Sequence, residues 1–181
     1  MQKIIIGAGG AGCNIVSQIT DSDLYAIALF NTDLKSLQKY LSKDTHQLGK
    51  QVCQGHSPVG FAQARKAINE SREDIQQLIQ PFAKIFLVVG LGGNTGTAFT
   101  QTLIELVQQA GKELELFLIT PLELEAERLK LANDVLAEIP AQYRKNIYSL
   151  AEYAKNAGRQ DSLESLLRKV DELVISKLIN E

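Results

Sequence analysis

Two spacings of hydrophobic positions alternate along the chain. Short continuous apolar runs occur at Lys3 to Ile6, Leu24 to Phe30, Lys84 to Val89 and Leu114 to Ile119. Their length and β-branched content predict strands buried on both faces, the signature of a parallel sheet. Between them lie stretches with helical spacing: Ala11 to Thr20, Leu34 to Tyr40, about Phe61 to Ile79, Ala98 to Gln109 stopped by Gly111, and Leu124 to Glu138 broken by Pro140. Asn146 to Leu150 reads as a last strand, followed by a linker around Asn156-Ala157-Gly158. His46 to Pro58 mixes glycine, proline and polar residues and reads as a loop. From Ser162, the residues Leu163, Leu166, Leu167, Val170, Leu173, Val174 and Leu178 form one apolar stripe, so a terminal helix is expected over about 162–179, capped by Asp161 or Ser162. This alternation predicts one α/β domain over 1–181, a three-layer sandwich around a mostly parallel sheet.

Two of the predicted strands run straight into glycine-rich turns. Gly7-Ala8-Gly9-Gly10-Ala11-Gly12 follows the first, and Gly90-Leu91-Gly92-Gly93-Asn94-Thr95-Gly96-Thr97 follows a later one. A strand-to-helix turn without side chains lets phosphate oxygens approach backbone N–H groups, and the next helix points the positive end of its dipole at the charge. Thr95 and Thr97 add hydroxyls to the second turn. A bound nucleotide is therefore the expected ligand.

Composition narrows the field. The 181 residues are 45% hydrophobic and 22% charged with net charge −2, so there is no basic excess for a nucleic-acid partner. The apolar runs are far shorter than the ~20 residues of a membrane span. Met1-Gln2-Lys3 leads directly into strand residues with no cleavage-site pattern, and the cytoplasm is the expected compartment. Cys13 and Cys53, with His46 and His56, form no metal-ligand spacing and read as ordinary small residues.

The first turn alone also fits the Gly-x-Gly-x-x-Gly fingerprint of dinucleotide-binding proteins, with Asp33 about 20 residues on as the ribose acid. An NAD-linked oxidoreductase is thus a competing reading, and it leaves the second turn unexplained.

Together, the turns resemble those of the tubulin and FtsZ family of GTP-binding cytoskeletal proteins, with the FtsZ branch nearer. Gly92-Gly93-Asn94-Thr95-Gly96-Thr97-Ala98 is similar to the tubulin signature. Asn31-Thr32-Asp33, Leu48-Gly49, Ala67 to Glu73 and Thr120-Pro121 follow in family order. The resemblance implies a Rossmann-type nucleotide-binding domain holding GTP or GDP, accompanied by Mg²⁺. It places Gly9, Gly10, Ala11 and Gly12 against the α- and β-phosphates. Gly92, Gly93, Asn94, Thr95, Gly96 and Thr97 would wrap the outer phosphates. Asn14 and Asp171 would read the base, Glu125 after Pro121 would accept from the ribose, and Arg128 lies one residue before the family arginine. Asp33 falls in the loop between the two turns. Asp171 also reads as a helix-surface acid beside Arg168 and Lys169.

Departures from the family pattern qualify the expected activity. The loop Gly55-His56-Ser57-Pro58-Val59-Gly60-Phe61 contains a proline without an N–H donor where the family senses the terminal phosphate. Leu150-Ala151-Glu152-Tyr153 stands where an asparagine and an aspartate touch the base, and Leu167 where an aromatic stacks, which leaves adenine open as an alternative to guanine. The family's catalytic acid loop and second domain are not among these 181 residues. The expectation is a guanine-nucleotide-binding protein with a cytoskeletal or cell-division role and weak or partner-dependent hydrolysis. It would associate with itself or with a full-length relative. The alternative is a degenerate assembly or regulatory module indifferent to turnover.

Overall fold

The computed structural model describes residues 2–20, 23–158 and 162–181. Within them, β1 (Lys3–Ala8), β2 (Tyr25–Asn31), β3 (Thr45–Gln47), β4 (Lys84–Gly90), β5 (Glu113–Thr120) and β6 (Arg144–Ser149) form one sheet in the order β3-β2-β1-β4-β5-β6. Every pairing is parallel. The helices are α1 (Gly9–Ser17), α2 (Leu34–Leu37), α3 (Phe61–Glu70), α4 (Arg72–Ile79), α5 (Asn94–Ala110), α6 (Ala126–Glu138), α7 (Leu150–Lys155) and α8 (Leu163–Ile179).

Strand periodicity divides the interior into two cores. Ile4, Ile6 and Ala8 of β1 face the layer containing α3, α4, α5 and α6, where Phe30, Leu87, Val89 and Phe99 are buried. Ile5 faces the opposite layer with Val16 of α1, Phe86, Phe117, and Val170 and Val174 of α8. Continuous apolar strands are required because both faces are covered, as expected for a parallel sheet.

Several boundaries differ from the sequence expectation. Helix α1 starts at Gly9 and α5 at Asn94, each inside its glycine turn, so the turns shrink to a few residues. Gly9 and Gly92 adopt φ of +68° and +84°, where glycine alone is unstrained, which lets the chain reverse so sharply. The expected helix over 61–79 breaks at Ser71 (φ −94°, ψ 8°), whose hydroxyl accepts from the buried Gly49 N–H at 2.9 Å. Strand β3 lies partly within the expected loop, and the His46 ring stacks on Phe30 with centroids 4.8 Å apart. The start of α6 moves from Leu124 to Ala126, and the short α7 follows β6 directly. Ser162 caps α8 by accepting from Ser165 N, whereas Asp161 lies outside the described residues.

Cys13 and Cys53 are buried free thiols. The Cys13 thiol donates to Phe30 O at 3.3 Å, and burial pushes its pKa up to about 12. It is an inert packing group.

Candidate functional site

Sheet order places the two glycine turns side by side. Strands β1 and β4 are neighbours, with Ala8 opposite Val89, while the connection from β1 runs to β2 on one side and the chain returns through β4 on the other. The order reverses between them, which opens a crevice at the carboxyl ends of the strands. The N-termini of α1 and α5 both begin there, so two sets of unpaired backbone N–H groups face the same space.

A cavity of about 270 Å³ fills this crevice. Its wall includes Gly9, Gly10, Ala11, Gly93, Asn94, Thr95 and Gly96 from the two turns, together with Asp33 and Arg128. Asn31, Ser36, Ser57, Pro58 and Gly90 complete it. These five, Asn31, Ser36, Ser57, Pro58 and Gly90, were not among the expected site residues. Gly90 ends β4 and Ser36 follows the Asp33 cap, so both positions become evident once the turn geometry is known.

Not every glycine faces the cavity. A Cβ on Gly10 would meet nothing within 4 Å, whereas one on Gly12 would stand 2.2 Å from Val88 O. Gly12 therefore lets α1 pack on β4. Gly92 is similar: its added Cβ would lie 2.4 Å from Arg128 O. Thr97 differs from its expected role as a hydroxyl donor to phosphate. It is fully buried, and its Oγ1 accepts from Gly92 N at 2.9 Å, fixing the shape of the second turn. The Thr95 hydroxyl shares a 3.0 Å hydrogen bond with that of Thr32.

Asp33 is held by its own loop. Its Oδ1 accepts from Ser36 N at 2.8 Å and its Oδ2 from Ser57 Oγ at 3.3 Å. The Ser36 N–H is the main cause of a carboxyl pKa below the ordinary value, so Asp33 stays ionised. Asn94 Nδ2 donates to Pro58 O at 3.4 Å, tying the loop before α3 to the second turn. Although Pro58 has no N–H to offer, its carbonyl is used.

Asn14, Pro121, Glu125 and Asp171 lie outside the cavity wall. Glu125 precedes α6, accepts from Leu122 N at 3.1 Å and pairs with Arg128, which brings this ion pair to the rim. Asn14 on α1 and Asp171 on α8 meet directly: Asn14 Nδ2 donates to Asp171 Oδ2 at 3.2 Å. Burial raises the Asp171 pKa, opposed by a hydrogen bond from Gln18. Sequence reasoning missed Gln18, although its position one turn after Asn14 on α1 was a usable signal.

A Tubulin/FtsZ family, GTPase domain model matches residues 2–145. The chain belongs to the Tubulin/FtsZ family. It is 28% identical over 180 residues to the mitochondrial division protein fszA of Dictyostelium discoideum, covering 97% of this chain and 34% of that protein. It is 28% identical over 142 residues to the cell division protein FtsZ of Neisseria gonorrhoeae, covering 75% of this chain and 35% of that one. The chain thus spans about a third of the length of these curated relatives. Among solved structures, an empty FtsZ dimer from M. jannaschii superposes with a TM-score of 0.87 at 22% identity, over 98% of this chain and 53% of that one. CetZ2 from Haloferax volcanii, solved as a GTPγS-bound protofilament, gives a TM-score of 0.77 at 18% identity, over 98% of this chain and 57% of that one. These likenesses agree with the Rossmann-type order of the sheet.

Among the described residues, no helix is long and apolar enough to cross a membrane. None of their His, Cys, Asp and Glu side chains form a group of three that could hold a metal ion.

Proposed function

We propose that this domain binds GTP or GDP, with the phosphates in the cavity between the two glycine turns and the base toward Asn14 and Asp171. The carrying observation is the convergence of two helix N-termini on one glycine-lined space at the switch point of the sheet. Backbone N–H groups and helix dipoles there favour an anion, and the bare Gly10 gives it room. Two turns suit a chain of phosphates better than the single pyrophosphate contact of an NAD enzyme.

Base reading would rest on acceptor chemistry. An ionised aspartate only accepts hydrogen bonds. Guanine offers it two donors, N1–H and the exocyclic amine, while adenine presents an acceptor at N1. Glu125 at the rim would accept from ribose hydroxyls, and Arg128 would face the phosphates.

The donor set also suits Mg²⁺. This ion keeps several waters and commonly takes one or two carboxylates plus substrate phosphates, so a caged protein site is not required. Asp33 is the carboxylate on the cavity wall and would hold it there, alongside the Thr95 hydroxyl. Bound Mg²⁺ would neutralise phosphate charge.

Hydrolysis by this chain alone is proposed to be slow. Phosphoryl transfer depends on positioning the attacking water and stabilising charge. Asp33, the carboxylate on the cavity wall, would hold Mg²⁺ and not a water, and the Pro58 loop offers no N–H at that residue. Self-association, or association with a longer family member in division or cytoskeletal assembly, is the wider role proposed. A cytoplasmic setting is proposed with it.

Calorimetry with GTP, GDP, ATP and NAD tests the reading. Binding of both guanine nucleotides, with NAD silent, is expected. NAD binding without guanine-nucleotide binding would overturn it. The bond from Asn94 to Pro58 O favours a second reading, an assembly module whose loop does not respond to the terminal phosphate. Sedimentation separates the two: growth with GTP supports the first, and equal sedimentation with and without nucleotide supports the second.

A further inference from the structure

Asp171 accepts two hydrogen bonds from α1 on the same oxygen. Asn14 Nδ2 reaches Oδ2 at 3.2 Å and Gln18 Nε2 reaches it at 3.0 Å. The two donors are not equivalent. Gln18 Nε2 also donates to Asn14 O at 3.1 Å, so its amide nitrogen is held between two acceptors, whereas the Asn14 amide has the longer bond to Asp171. Two donors fill the acceptor capacity of Oδ2, and Oδ1 accepts no hydrogen bond among the described residues.

We propose that Gln18 is a positioning residue for base recognition: it holds the Asp171 carboxylate with Oδ1 presented to the guanine edge, while Asn14 releases Oδ2 to the base. This rests on the reading of the site as a guanine-nucleotide site. Gln18 needs no contact with the base. It acts through Asp171, joining the end of α1 to the middle of α8 and setting the direction of the carboxylate.

The geometry distinguishes this role from simple helix packing. Gln18 is exposed at the C-cap of α1 and buries little, so its removal should leave the fold intact. Its amide donates toward the ionised form of Asp171 and so favours that form, the form able to accept from guanine. The charged neighbour acting on Asp171 is Glu172 of α8, which works in the opposite direction. Helix α1 presents neutral amides to it, and its thiol, Cys13, is turned into the core.

The test compares wild type with Gln18→Leu, close in size but without a donor, and Gln18→Arg, which keeps one. GDP and ADP affinities are measured by calorimetry across a pH series. For Gln18→Leu, GDP affinity should fall about 3- to 10-fold, less than for a lost direct bond to a charged acceptor, because Gln18 acts on the base only through Asp171. ADP affinity should stay unchanged, the GDP pH midpoint should move up, and the melting temperature should hold at low pH, where Asp171 is protonated. Gln18→Arg should restore the GDP preference and move the midpoint down. An unchanged GDP/ADP ratio and midpoint in Gln18→Leu, with wild type preferring GDP, overturns the role of Gln18 alone. Wild type that binds no guanine nucleotide overturns the site reading and this inference together.

Discussion

Gly12 lies against Val88 with no room for a side chain, since a Cβ would stand 2.2 Å from the Val88 carbonyl oxygen. Gly10, two residues earlier on the same helix, has nothing within 4 Å of that position. Alanine should therefore have opposite effects at the two sites. Gly12→Ala should destabilise the domain by roughly 1–3 kcal/mol through overpacking against backbone. Gly10→Ala should stabilise the ligand-free domain by up to about 1 kcal/mol, because alanine loses less entropy in a helix. It should also weaken nucleotide binding by putting a methyl into the cavity. Urea denaturation and calorimetry on both variants check this, and equal stability losses would contradict it.

The same distinction shows how much of the site could be read from the sequence. The two turns, the place of Gly9, Gly10, Gly93 and Gly96 on the cavity wall and the parallel alternation of elements are legible because they follow from local chain chemistry: glycine spacing, strand length and helix stops. The division of labour within each turn is not. Gly9 and Gly10 look like Gly12 in the sequence, yet Gly12 is set by Val88, which is 76 residues away. Thr97 looks as available as Thr95 until the Gly92 N–H is found on its hydroxyl. The break at Ser71 was hidden for the same reason, as its partner Gly49 comes from another loop. Valine at Gly96 would also be a poor probe of phosphate binding, because a Cβ there lies 2.6 Å from Val89 Cγ2.

Asp171 should trade stability for recognition. Burial raises its folded pKa above the ordinary 3.8. Its contribution to stability is thus fully present below the unfolded pKa and is lost as pH rises through the folded value. Asp171→Asn is neutral throughout, so its stability relative to wild type should increase over that window and exceed it at neutral pH without ligand. The same variant should lose about 10- to 100-fold of any GDP-over-ADP preference, since hydrogen bonds to a charged acceptor are removed. Denaturation at several pH values and paired calorimetry read both effects. A stability difference independent of pH would rule out the titration argument.

Glu115 supports the sheet at the end away from the cavity. It is 3% exposed near the start of β5. It accepts from Asn146 at 2.9 Å and pairs with Lys84 at 3.5 Å and Arg144 at 3.3 Å. Removing Glu115 takes the carboxylate from Lys84 and leaves the buried Asn146 amide with the Leu116 carbonyl alone, at 3.3 Å. Because Arg144 is half exposed, screening reduces the loss for Glu115→Ala to roughly 1–3 kcal/mol. Nucleotide affinity should be unchanged, because the cluster sits near the strand starts and the cavity lies at the strand ends. A stability loss accompanied by an equal loss of affinity would show that the two ends of the sheet are coupled.

Thr97 separates a residue that shapes the second turn from one that touches ligand. Its buried hydroxyl is the acceptor for Gly92 N, at a glycine held at φ +84°. Thr97→Val keeps the volume but leaves that N–H unpaired, a loss of roughly 1–3 kcal/mol. Thr97→Ser keeps the acceptor and should recover most of that loss. Nucleotide affinity should follow stability across the pair, falling in the valine variant because the turn loosens and returning in the serine variant. If valine instead reduces affinity with no change in the denaturation midpoint, the hydroxyl contacts the ligand directly and the turn does not depend on it.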